Sequence, residues 1–307
     1  MRVRFASKWL ALALALTILA GCGGGAATGG SGKLRITVTT GMIADIVNNV
    51  GREHVEVTAL MGAGIDPHLY KASEGDISKM AGAQVIFYNG LHLEGRMADI
   101  FVKMARSKPT VPVAEGIPES DLLLTPQGAE DPHIWFDVKL WMKATEVVRD
   151  ELSKVDPANR EAYAANAAEY LKELEALDAY AREQLATIPK EVRVMVTAHD
   201  AFNYFGRAYD IEVTGLQGIS TAAEFGLSDV QQLVDMLVTR KIKAVFVESS
   251  VPKRSIEALV EGARARGHTV VIGGELFSDA MGAAGSPEGT YIGMVRHNVD
   301  TIVKALK

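Results

Sequence analysis

The chain has 307 residues, 48% of them hydrophobic, with a formal net charge of −6 at pH 7 and one cysteine. That length suits two domains of ordinary size. The acidic balance makes a poor nucleic-acid binder but favours attraction of cations, and a lone cysteine excludes an intrachain disulfide or thiolate cluster.

The first 21 residues read as a targeting segment. Arg2, Arg4 and Lys8 form a basic start, and Trp9 to Ala20 is an apolar run too short to span a bilayer as a helix. Leu19-Ala20-Gly21-Cys22 reads as a lipoprotein cleavage box, with Cys22 the acylated first residue of the mature chain. The expected location is extracytoplasmic, held to the bacterial cell membrane through that lipid alone, because no later apolar run is long enough to span. Once Cys22 is acylated, only methionine offers sulfur, so a metal site must use nitrogen and oxygen. Residues 22–33 are glycine-rich and read as a flexible tether. They contain a near-miss phosphate loop, but Ala27 and Leu34 stand where glycine and Ser or Thr are required, and no strand precedes it.

Strand signals then come in two sets of four. The first is Arg35–Thr40, Val55–Leu60, Val85–Asn89 and Thr110–Ala114; the second is Val192–Ala198, Glu212–Leu216, Ala244–Glu248 and Thr269–Ile272. Helical stretches separate them, among them Met42–Val50, Glu74–Ala81, Met97–Lys103, Leu227–Thr239 and Ser255–Ala265. Strands alternating with helices predict an α/β fold of parallel sheets with right-handed crossovers. Between the sets, Asp156-Pro157 reads as a helix start with Asp as the cap. Apolar positions Tyr163, Ala167, Tyr170, Leu174, Leu177, Ala181, Leu185 and Ile188 then recur at steps of three and four up to Pro189. This predicts one packed helix rather than a solvated arm. The expected organisation is an N-terminal lobe (34–155), a linking helix (156–189) and a C-terminal lobe (190–307), each lobe with a four-stranded parallel sheet. A helix bends little, so modest lobe motion on ligand capture is expected.

Open parallel sheets bind ligands beyond the carboxyl ends of their strands. His68, His133, His199 and Asp279 each follow a predicted strand, two from each lobe, which puts them at the lobe interface. Two share a signature, Asp66-Pro67-His68 and Asp131-Pro132-His133. A single histidine is more often a surface, capping or core residue than a ligand. Four such residues at equivalent strand ends point to one divalent cation. Imidazole and carboxylate suit Zn and Mn among others, and three His plus one Asp can enclose Zn. Asp279 has a competing role as the cap of a helix starting near Ala280, and Glu275 and Glu248 are its rivals as the fourth ligand. Neutral histidines need acceptors for their second nitrogens, for which Asp66, Asp131, Asp137, Asp200 and Glu248 are candidates. His92, after the third strand, is a candidate for the same outer layer. His54, His268 and His297 read as ordinary, His268 as exposed.

Gly64-Ile65-Asp66-Pro67-His68-Leu69-Tyr70, Tyr88-Asn89-Gly90-Leu91-His92-Leu93-Glu94, Asp131-Pro132-His133-Ile134-Trp135-Phe136-Asp137, Thr197-Ala198-His199-Asp200-Ala201-Phe202 and the run from Gly273 to Gly282 occur in order. Together they resemble the ZnuA-like zinc/manganese solute-binding proteins of ABC importers, closest to the TroA-type branch, over essentially the whole chain after the tether. The resemblance implies two four-stranded lobes on a backbone helix and delivery of Zn2+ and/or Mn2+ to a membrane permease powered by a separate ATPase. It also implies a monomer that is not an enzyme. It aligns His68, His133, His199 and Asp279 with the family's metal ligands. Two departures concern metal choice: Glu115–Glu130 lacks the histidine-rich loop of many dedicated zinc receptors, and His199 stands where manganese-dedicated members commonly have Glu. Alternatives to the receptor are a zinc hydrolase with an open metal position and Glu248 as base, and a ferric-chelate receptor of similar architecture, which needs a roomier cleft. No motif supports an adhesin.

Overall fold

All eight strands anticipated from the sequence are present in the computed structural model, which describes residues 32–125 and 127–307. The targeting segment, Cys22 and the tether up to Ser31 lie outside the described residues. The N-terminal half contains β1 (Leu34–Val38), α1 (Gly41–Gly51), β2 (Val55–Ala59), α2 (Glu74–Gly82), β3 (Val85–Tyr88), α3 (Ala98–Met104) and β4 (Thr110–Pro112). Its four strands form one parallel sheet in the order β2-β1-β3-β4, with Ile36 opposite Val57 on one side and Val85 on the other. Ile36, Val38, Val85 and Phe87 on one face and Thr37 and Ile86 on the other are all buried, so both sheet faces are covered.

Two long helices follow. α4 (Val138–Val155) starts at Asp137, whose carboxylate accepts the Lys139 N–H at 3.0 Å. α5 (Arg160–Ala186) has 27 residues, about 40 Å at 1.5 Å per residue. All eight positions of the predicted stripe, Tyr163 to Ile188, are buried. α5 packs against α4, α1 and the C-terminal helix Tyr291–Leu306, so it is no solvated arm. Its start differs from expectation. Pro157–Asn159 is a single 3-10 turn, and the Asp156 carboxylate does not cap the backbone. It accepts from Asn159 Nδ2 and Tyr163 Oη, both at 2.7 Å.

The C-terminal half contains β5 (Val194–His199), α6 (Asn203–Tyr209), β6 (Glu212–Gln217), α7 (Leu227–Thr239), β7 (Ala244–Glu248), α8 (Arg254–Ala265), β8 (Val271–Leu276) and α9 (Tyr291–Leu306). Here the hydrogen-bonded ladders form two parallel pairs, β5-β6 and β7-β8, where a single four-stranded sheet is expected. β5 lies alongside β7, and at their carboxyl ends the His199 N–H is taken by the Glu248 side chain at 2.9 Å. β8 also runs further than expected, through Gly273-Gly274 rather than ending before them. A Cβ on Gly273 would lie 2.7 Å from Ala305 Cβ, and one on Gly274 2.4 Å from Thr301 Cγ2. These glycines therefore mark the close approach of the strand to α9 and not its end.

One apolar core runs beneath both halves, from Ile36, Ile46 and Trp141 through the α5 stripe to Phe205, Tyr291 and Val299. A second lies between β5, β7 and helices α7 and α8. Lys33–Lys307 accordingly behaves as one compact unit. Among the described residues, no helix is long and apolar enough to cross a membrane.

Candidate metal centre

The two Asp-Pro-His triplets fold alike. Asp66 Oδ1 accepts the His68 N–H at 2.8 Å, and Asp131 Oδ1 accepts the His133 N–H at 3.0 Å. Each aspartate closes a turn on its own chain two residues on, while the proline between fixes φ and offers no competing N–H. The sequence thus builds two tight corners, each ending in an imidazole. His199 needs no corner, because it is the last residue of β5. Asp279 follows β8 at the third residue past its end. No helix begins at Ala280; the next α-helix starts at Tyr291, so Asp279 is not a cap.

The four side chains converge: one donor atom from each of His68, His133, His199 and Asp279 lies within 4.8 Å of the others, and all four residues are buried. His68 Nε2 is 3.3 Å from His133 Nε2 and 3.6 Å from Asp279 Oδ2, while Asp279 Oδ1 is 3.4 Å from His133 Nε2 and Oδ2 is 3.2 Å from His199 Nε2. A tetrahedron built on bonds of about 2.1 Å, the length of a zinc–nitrogen bond, has edges of about 3.4 Å. These separations therefore match the shell of one small dication. His199 Nε2 and both oxygens of Asp279 are buried with no hydrogen-bond partner. Orphaned buried polar atoms are costly, and a shared cation satisfies all three at once.

The outer nitrogens of two rings are fixed by carboxylates. His133 Nδ1 lies 2.7 Å from Asp131 Oδ1, and His199 Nδ1 lies 2.6 Å from Glu248 Oε2. With Nδ1–H donating, each ring turns its Nε2 lone pair inward. Asp131 is held in turn by Asn203 Nδ2, 3.1 Å from Oδ2, and Asn89 Nδ2 steadies the corner by donating to the Pro132 carbonyl at 2.9 Å. Asn203 escapes a sequence reading, since nothing local marks a residue 72 positions away as the partner of Asp131.

The other outer candidates go elsewhere. Asp66 serves the His68 backbone and not its ring. Asp137 caps α4, and Asp200 Oδ1 accepts the Gly215 N–H at 2.5 Å. His92 is exposed and lines a separate surface cleft with Tyr88 and Phe101, away from the four donors. Glu275 pairs with Lys253 at 2.8 Å, which removes it as a rival of Asp279. His268 is half-buried rather than exposed, its Nε2 2.7 Å from the Ile242 carbonyl.

Without a cation the charges divide unevenly. Burial opposes protonation of His133, but the carboxylates of Asp131 and Asp279 outweigh it and push the ring up to about 9. Burial likewise opposes charge on His199, and Glu248 with Asp279 carries it well above the usual range. His68, with no carboxylate on its outer nitrogen, is pushed down to about 4 by burial. Burial would raise Asp279, yet the adjacent His199 and His133 hold it well below the ordinary carboxylate range. Protons and metal therefore compete for the same inward-facing atoms.

Fold and site together define a class: a two-halved parallel α/β protein on a long helix, enclosing a buried nitrogen-and-oxygen pocket sized for a bare metal ion. The chain belongs to the family of periplasmic zinc-uptake complex component A, which it matches over residues 36–305. It is 51% identical over 303 residues to the manganese-binding lipoprotein MntA of Bacillus subtilis, covering 97% of this chain and 98% of that one. It is 50% identical over 275 residues to the zinc-binding protein TroA of Treponema pallidum, covering 90% and 89%. The solved structure of that periplasmic zinc-binding protein superposes with a TM-score of 0.88, covering 90% of this chain and 99% of the other.

Proposed function

We propose that this protein is the extracytoplasmic receptor of an ABC importer. It captures Zn2+ and/or Mn2+ as cargo on His68, His133, His199 and Asp279 and hands it to a membrane permease. The observation that carries the reading is the closed set of buried donors within 4.8 Å of one another, with inner atoms on His199 and Asp279 that have no other partner. Relatives named for manganese and for zinc support a site that accepts both, and ligand chemistry favours zinc in intrinsic affinity. Acylation at Cys22 would keep the receptor at the membrane, in keeping with relatives named lipoproteins. The lobes 34–155 and 190–307, linked by 156–189, act as a monomer around one ion.

A hydrolase is disfavoured by the same geometry. Four protein donors face inward, whereas catalytic zinc keeps an open position. Glu248, the candidate base, is occupied by the His199 backbone and ring. A ferric chelate would need more room than donors within 4.8 Å of one another leave. The test is elemental analysis of protein purified without added metal, then Zn2+ and Mn2+ titration against a chromogenic chelator. His68→Ala, His133→Ala and Asp279→Ala should each weaken binding about tenfold or more. Wild-type affinity in any two of them rejects the assignment.

A further inference from the structure

The four donors are not held alike. His133, His199 and Asp279 belong to a braced wall that ties the two halves together. Tyr204 Oη donates to the Asp131 carbonyl at 3.0 Å, Trp135 Nε1 to the Ser278 carbonyl at 3.1 Å, and Tyr291 Oη to the Trp135 carbonyl at 2.6 Å, all buried. Glu248 and Asn203 complete the wall. His68 sits instead on Met61–Ala72, a segment without helix or strand, whose residues Gly62 to Ile65 are exposed. Its ring lacks the outer carboxylate that orients the other two.

Among the described residues, and apart from His68 itself, one side-chain hydrogen bond ties this segment to the C-terminal half: Thr221 Oγ1 donates to Asp66 Oδ2 at 2.6 Å. The other oxygen of that carboxylate accepts the His68 N–H. Thr221 is itself presented by a braced loop, since Gln217 Nε2 donates to the carbonyls of Thr221 at 3.0 Å and Ala223 at 2.8 Å. A continuous path of bonds therefore runs from the end of β6 through Thr221 and Asp66 to the backbone of one ligand.

We propose that Thr221 is a positioning residue. Through Asp66 it holds the His68 segment closed and sets how long the metal stays bound, and His68 is the ligand that leaves first. The inference rests on the receptor reading above. Three donors on the wall stay assembled while the fourth opens and closes, so the latch acts on release more than on capture.

The test uses the full chain with Zn2+ as the probe. Loaded protein is chased with excess chelator to read dissociation, and association is read separately. Thr221→Val, which keeps the shape and removes the hydroxyl, should speed dissociation about tenfold, equivalent to ~1.4 kcal/mol and close to the lower end of the range for a hydrogen bond to a charged group. Association should stay within about twofold and the metal-free melting temperature should not move. Thr221→Ser should restore slow release. Unchanged dissociation in Thr221→Val, a loss carried by slower association, or failure of the serine rescue each overturns the proposal. If Thr221→Val does not fold, hydrogen exchange on the wild type decides. Zinc should slow exchange more in 61–72 and 218–226 than in 131–137, and equal slowing overturns the latch. A wild type that binds neither zinc nor manganese fails before any variant is made, and then the receptor reading falls as well.

Discussion

The two halves orient their histidines in different ways. In the N-terminal half the sheet is continuous, and His133 is aimed by Asp131, its neighbour two positions back. In the C-terminal half the sheet is divided into two pairs, and His199 is aimed by Glu248, 49 residues away at the end of β7. The Glu248 carboxylate has two tasks. One oxygen takes the His199 ring, and the other takes the His199 N–H where the β5 and β7 pairs meet. Ligand orientation is thus a local turn in one half and part of the sheet's own cohesion in the other.

The largest effect should follow from Glu248→Ala. Metal affinity should fall about 100-fold, the upper end for loss of an orienting carboxylate, and the metal-free melting temperature should fall with it. Asp131→Ala should cost affinity about tenfold with a smaller thermal change, because the sheet beneath it stays intact. Chelator competition and calorimetry on both variants decide the matter; a larger melting shift for Asp131→Ala would break the comparison. Asn203→Ala should be milder, a loss of about threefold from one hydrogen bond to Asp131.

pH sharpens the same contrast. In the metal-free protein His133 is raised to about 9 and His199 is raised well above 6.5. A raised histidine contributes stability fully below its unfolded value, near 6.5, and loses it as pH rises through the folded value. Metal-free stability from these rings should therefore decline between about pH 6.5 and 9. Metal needs the deprotonated rings, so its affinity should rise over that interval and binding should release protons. The melting increment given by Zn2+ should grow from pH 6.5 to 9, and titration in buffers of different ionisation enthalpy should reveal the protons. An increment that shrinks with pH contradicts the proton assignment.

Much of this molecule is legible in its sequence, for identifiable reasons. The α5 stripe is a helical period of three and four that burial follows at all eight positions. The four donors stand out because strand ends in parallel sheets converge. α4 is not anticipated above, although buried Trp141, Ala144, Val148 and Leu152 carry the same period. The divided C-terminal sheet and the extent of β8 are invisible locally, because they depend on Glu248 reaching His199 and on α9 pressing against Gly273 and Gly274. Among the outer carboxylates, composition offers five equal candidates. Only the folded distances separate Asp131 and Glu248, which reach rings, from Asp66, Asp137 and Asp200, which bind backbone.

The apolar core that passes without a break from Ile36 along α5 to Val299 carries a thermodynamic consequence. Both halves contribute to it within one compact unit, so heating should melt the molecule in a single calorimetric transition, with the van't Hoff and calorimetric enthalpies agreeing. Cargo capture would then protect the whole body at once, and cutting the chain within α5 should leave two fragments that fold only when mixed.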